Sequence, residues 1–322
     1  MAEGISSFWG PVTSAEWCEK NYVYSSYIAE FFNTISIIPG ILLALVGLIN
    51  ALRQRFEKRF SILHISNMIL AIGSMLYHAT LQHMYVLFSI LLCCSSSSSQ
   101  LLHKYLSGVV LQIAARFDEG YKIWFYSTYS PAEKVGTRDL YFDFVRFHSQ
   151  IMQQQGDETP MVWEMLLYMY ILYSPDWHYR STMPTFLFFY GAGFAIVHAL
   201  VRLRMGFKVH YVMLCLLCVP RMYKYYIHTK DASAKRLAKL YLATILTGSL
   251  CWLFDRLFCP NISRWYFNPE GHALWHVLMG FNSYFANTFL MFCRAQQLGW
   301  NPEVAHFMGF FPYVKIQKPK TQ

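Results

Sequence analysis

Charge is what this sequence has least of. Only 14% of its 322 residues are charged, against about 25% in an ordinary soluble domain. That shortage excludes a typical soluble globular chain. Acidic residues are scarcer than basic ones, 18 against 27, leaving a net charge of +9. Such a balance can mark a nucleic-acid binder. Here the basic residues fall between apolar runs, so membrane topology accounts for them and no nucleic-acid partner is expected. The eight cysteines include no paired CxxC arrangement. Cys215 and Cys218 sit inside an apolar run and read as helix packing. The first 25 residues hold no apolar core of a signal peptide, so no cleaved leader is expected. Internal repeats are missing too.

What is present is apolar: 55% of residues are hydrophobic and 18% aromatic, gathered into long runs. The expected fold is all-α, a polytopic membrane protein with seven transmembrane helices. Residues 1–26 read as a polar N-terminal segment. Helices are expected at about Tyr27–Asn50, bent at Pro39-Gly40, and at Phe60–His83. A third starts near Asp157-Glu158-Thr159-Pro160, acids before a proline being a usual helix start, and runs on through Met161–Tyr173. The rest fall at Met183–Val201, Phe207–Tyr226, Leu237–Phe258 and His272–Cys293. Residues 84–152 show no sustained spanning period and read as an insertion outside the membrane. Residues 298–322 form a tail. Lysine and arginine concentrate on the side of the C-terminus, which puts that terminus in the cytosol and the N-terminus in the lumen or outside.

On this topology the end of the second helix and the starts of the third and seventh share one membrane face. His78, Asp157, His272 and His276 then lie at one depth. His272 and His276 are four apart, the spacing with which a helix presents two imidazoles to one metal ion. Ionisable residues at membrane depth are functional candidates by default. Three histidines with an open fourth position suit a catalytic zinc, which makes hydroxide available near neutral pH. Asp157 is placed to carry a proton, and Ser74, one turn from His78, to donate to an oxyanion. Asp255 is expected to orient a ligand histidine from behind. Glu16, Glu19, Asn21 and Glu30 gather oxygen donors of the kind calcium takes. His83, His198 and His210 stand alone and read as packing or interfacial residues.

Five phrases in order carry a resemblance. They are Trp17-Cys18-Glu19 with Asn21-Tyr22-Val23, Ile28-Ala29-Glu30-Phe31 with Asn33-Thr34, and Gly73-Ser74-Met75-Leu76-Tyr77-His78. Asp157-Glu158-Thr159-Pro160-Met161 and Gly271-His272-Ala273-Leu274-Trp275-His276 complete the set. Together they resemble the alkaline ceramidases, in wording closest to the plant members, over about 1–83 and 153–322. The resemblance implies a seven-helix amidase of the endoplasmic reticulum or Golgi. It would cleave membrane-embedded ceramide, or phytoceramide, to a sphingoid base and a fatty acid. It implies zinc on His78, His272 and His276, and catalysis by Ser74 and Asp157. Calcium would be held by Glu16, Trp17 (through its carbonyl), Glu19, Asn21 and Glu30. It also implies a Cys18–Cys259 disulfide, which a lumenal face permits.

The departure is 84–152. The family runs almost directly from the stretch like Thr80–His83 into the one like Gln154–Asp157. Cys93-Cys94 followed by Ser95–Ser99 resembles translated intron, the other reading being a regulatory loop. Reduced or absent activity is expected unless the loop bulges out cleanly. Three rival functions stand beside hydrolysis of ceramide: a heptahelical zinc-containing lipid receptor, another lipid-remodelling hydrolase of the same superfamily, and a scaffold with structural zinc. The receptor lacks the Trp17–Asn21 motif.

Overall fold

The structure is a computed structural model, and it describes residues 8–9, 17–81, 158–176, 181–200, 204–262, 268–307, 309 and 311–318. Glu16, His83, Asp157 and the 84–152 insertion lie outside the described residues. The chain is mostly helical, and a helix stands at each of the seven places where apolar periodicity puts one. In chain order these are α1 (Phe31–Ser36) with α2 (Ile38–Arg53), then α3 (Lys58–Thr80). Next come α4 (158–173), α5 (Thr182–Leu200), α6 (Arg204–His228), α7 (Ala232–Ile262) and α8 (Gly271–Gln297). The tail folds into an antiparallel hairpin, β1 (Asn301–Phe307) and β2 (Phe311–Gln317), with Val304 opposite Val314.

Local chemistry explains the boundaries. α1 and α2 are one apolar run broken at Ile37, just ahead of the expected bend. Pro39 falls in the first turn of α2, where a missing N–H leaves no bond unmade. α3 stops at Leu81, whose N–H closes the last bond onto the Tyr77 carbonyl and whose left-handed φ of 48° then turns the chain out of the helix. α7 begins where Asp231 accepts the Ala234 N–H at 2.7 Å.

α8 is the hub, packed against α7, α2, α3 and both strands. Its crossing with α2 depends on glycine: a Cβ on Gly280 would stand 2.6 Å from the Gly40 Cα. The main core lies at the hairpin end, where Phe60, Leu63, Leu172, Phe289, Phe292 and Val314 are buried together. Among the described residues, three helical runs are long and apolar enough to cross a membrane: Phe31–Arg53, Lys58–Thr80 and Ala232–Asn261. Outward faces expose Phe189, Val212, Leu216, Leu250 and Leu257, the surface a membrane protein turns to lipid.

Candidate active site

Three histidines meet at the end of the bundle away from the hairpin. His78 comes from the last turns of α3, and His272 and His276 from the first turns of α8. One ring nitrogen of each lies within 4.8 Å of the others. His276 Nε2 is 3.1 Å from His78 Nε2. His78 is fully buried. Both ring nitrogens of His272 are buried with no hydrogen-bond partner. Leaving such a group unpaired costs about 1–3 kcal/mol, so the arrangement is one that a metal ion would stabilise. Trp17 covers it, its indole stacked on the His272 ring at 3.7 Å and 11°.

Each ligand is held from the backbone up. The last carbonyls of α3 lack helical partners, as at any C-terminus. The N–H groups of Ala29 and Glu30 take those of Ala79 and His78, at 2.8 and 3.1 Å. That contact lays Glu30 beside His78, and Glu30 Oε2 lies 2.5 Å from His78 Nδ1. A carboxylate on the far nitrogen fixes the ring and leaves Nε2 for a metal. Asp255, from α7, accepts the backbone N–H groups of Gly271, His272 and Cys18. It therefore positions His272 through the backbone, where sequence reasoning had it orient an imidazole. Gly271 permits this approach, since a Cβ there would stand 2.7 Å from the Cys251 carbonyl oxygen.

The N-terminal segment closes this end. A Cys18–Cys259 disulfide ties it to α7, with Cα atoms 5.2 Å apart. Glu19 caps α1, accepting the Phe32 N–H at 2.6 Å and the Asn33 N–H at 2.9 Å. Burial, the largest influence, pushes the Glu19 carboxyl above its ordinary range, and the nearby Glu30 adds to this against those two bonds. Burial and the charges of Glu19, Asp255 and Glu30 push Glu270 up to about 7. Among the described residues of this end, four buried oxygens have no partner: Asn21 Oδ1, Glu30 Oε1, Asn33 Oδ1 and the Tyr22 hydroxyl. Acceptors without donors, beside crowded carboxylates, are the donor set of a hard cation.

Below the histidines opens a cavity of ≈ 980 Å³. Trp17, Ser74, His272 and His276 line one end, and Met222, Tyr226 and Phe289 the other. Ser74 is buried in the wall, one turn before His78. A long apolar chain fits such a space.

The sequence profile of the Ceramidase family matches residues 10–89 and 111–315. The chain belongs to the ceramidase family. An alkaline ceramidase of Arabidopsis thaliana is 63% identical over 323 residues, covering 100% of both chains. The Mus musculus protein named alkaline ceramidase 3 is 24% identical over 326 residues, 96% of this chain and 95% of its own. An alkaline ceramidase of Drosophila melanogaster is 25% identical over 274 residues, 84% of this chain and 73% of its own.

The family match passes over residues 90–110, which include the serine run. The site of this ceramidase-family chain thus brings together His78, His272, His276, Ser74, Trp17 and Glu30. Cys18 and Cys259 join beside it, with Glu19 and Asn21 in the segment that covers it. Sequence reasoning passed over Asn33 as an oxygen donor, and over Glu270, the residue before α8. A polar side chain three residues after Glu30, at the start of an apolar helix, was the available signal for Asn33.

Proposed function

We propose that this protein is a zinc-dependent, calcium-responsive hydrolase that cleaves the amide bond of ceramide, or of phytoceramide, inside a seven-helix bundle. Ceramide hydrolysis comes from the family and from relatives named alkaline ceramidases. The observation that carries the metal is His272, whose buried nitrogens have no partner and one of which lies within 4.8 Å of a ring nitrogen of His78 and of His276. Zinc suits three neutral imidazoles with an open position. When bound, it would polarise the amide carbonyl and make water acidic enough to ionise near neutral pH.

The chain's own residues do the rest. Glu30 holds the His78 ring by Nδ1, and Asp255 holds the start of α8. Ser74 donates its hydroxyl to the oxygen that gains charge as the carbonyl becomes tetrahedral. Asp157 takes a proton from the attacking water and returns it to the sphingoid nitrogen as the C–N bond breaks. The acyl carbon keeps the water's oxygen, and the water's second proton also passes to the departing amine, so the products are a carboxylate and an ammonium. Trp17 closes the site from above. The cavity takes the alkyl chains, which lets the reaction proceed below the membrane surface.

Calcium would sit among Glu19, Asn21 and Glu30, with Glu16 and the Trp17 carbonyl, as the unpartnered oxygens of Asn21 and Glu30 suggest. Glu30 then serves both ions, one oxygen on each side. The basic loops favour a cytosolic C-terminus and a lumenal N-terminus, in the endoplasmic reticulum or Golgi, where the Cys18–Cys259 bridge would be kept oxidised.

The test is His276→Ala in the full chain. Zinc content should fall below one per protein and ceramide hydrolysis should vanish, with membrane insertion unchanged. Hydrolysis that survives in this variant would sink the zinc mechanism. The same assay on a chain lacking 84–152 should show faster turnover, because the insertion separates His78 from Asp157; equal rates would refute that impairment.

A further inference from the structure

Two cations stand at the histidine end of the cavity, and neither has an acidic partner among the described residues. Arg256 on α7 and Lys208 on α6 both line the cavity and are exposed. The Arg256 guanidinium carbon lies 5.6 Å from the centre of the Trp17 indole, the ring stacked on His272. Lys208 Nζ lies 5.7 Å from the Trp252 ring, and Trp252 precedes Arg256 by one turn of α7. Trp252 in turn faces Trp275, the neighbour of His276, with ring centres 6.5 Å apart. Cation, indole and histidine therefore follow one another around a collar.

Long basic side chains near helix ends ordinarily reach out to lipid headgroups. These two instead lie over indoles of the cavity wall, where cation–π attraction holds them close to the site. An intact ceramide is neutral and offers them no charge. Hydrolysis creates one: a carboxylate on the acyl product, with an ammonium on the other. The collar attracts the first and repels the second.

Resting on the ceramidase reading above, we propose that Arg256 and Lys208 form a subsite for the carboxylate of the released fatty acid. The planar guanidinium suits a carboxylate, and the apolar wall below takes the chain. The two products then separate at the collar, the acid retained and the amine expelled.

Binding without turnover tests this. The full-length chain in neutral detergent micelles is titrated calorimetrically with dodecanoate and with dodecanol. Wild type should prefer dodecanoate. The R256Q/K208Q double variant should weaken dodecanoate by about tenfold, the scale of one lost charge-assisted bond, and move dodecanol by less than about twofold. The charge-preserving R256K/K208R pair should keep the preference. An equal loss for both ligands, or no loss for dodecanoate, overturns the subsite. Ceramide hydrolysis by wild type is measured alongside. If it is absent both there and in the chain lacking 84–152 while the dodecanoate preference stands, the substrate reading fails and the anion subsite remains.

Discussion

At the hairpin end of the bundle, polar groups find partners. Gln54 donates to the Val314 carbonyl and accepts the Ile316 N–H at 2.6 Å. The Tyr284 hydroxyl donates to the Pro312 carbonyl at 2.8 Å. Glu57 at the start of α3 receives Arg294 from the end of α8 at 2.7 Å. At the histidine end, Asn21, Glu30, Asn33 and His272 each keep buried atoms unpartnered. Both ends are closed by non-helical chain, yet the unpartnered atoms gather at the histidine end; toward the hairpin, His64 Nε2 is the exception among the described residues. Buried polar groups are almost always paired in folded proteins. An end that breaks that rule at six described residues, Trp17 and Tyr22 included, leaves its polar atoms free for something other than itself. The hairpin end holds the helices together, and the histidine end is left with donors and acceptors that a ligand could take.

Glu30→Gln should break that contrast most sharply. It removes the carboxylate on His78 and one oxygen donor of the second cation site together. Metal affinity at the histidines should fall by about ten- to hundredfold, the usual cost of losing such a partner. Zinc titration by a competing chelator measures it, and an unchanged affinity would mean that Glu30 does not serve His78. Asn33→Ala should act more narrowly. It removes an unpartnered buried oxygen beside Glu30, and the amide's bond to Glu30 Oε2, but leaves the Glu30 carboxylate on His78 in place. The calcium dependence of hydrolysis should weaken by about tenfold or less, with zinc content unchanged. Equal loss of both ions would show that the two sites are one.

The same contrast explains what the sequence made legible. His272 and His276 are read from spacing alone, because a helix converts four residues into one turn. The seven helical places follow from apolar runs for the same reason. The hairpin was less visible. Asn301–Phe307 and Phe311–Gln317 each carry a proline and a charge, and only Pro312 and Val314 are buried. Two-stranded pairs tolerate proline because each strand is an edge, so the usual argument against a strand has no force there. The roles of Glu30 and Asp255 were beyond a linear reading. Glu30 reaches His78 because its own N–H caps α3, and Asp255 reaches the α8 backbone because Gly271 lets α7 approach. Both depend on which helix end meets which loop, which no periodicity encodes. Asp157 rests on sequence alone.

The smallest effect belongs to the hairpin end and sharpens the comparison from the other side. Glu57 is buried in part, which alone would raise its pKa, but the hydrogen bonds from Arg294 and the charge of Arg59 outweigh this and hold it below its ordinary value of 4.5. A carboxyl with a depressed pKa in the folded state stabilises it above its ordinary value, and that stability is lost as pH falls through the folded one. The pair is about one-third exposed on the Glu57 side, 29%, so screening limits it to about 1 kcal/mol. Glu57→Gln should therefore lower the thermal midpoint by a few degrees at pH 7, and the gap should close as pH drops below about 4.5. Zinc content and ceramide turnover per folded molecule should not move. A gap that persists in acid would assign Glu57 to packing, and a change in turnover would show that the two ends of the bundle are coupled.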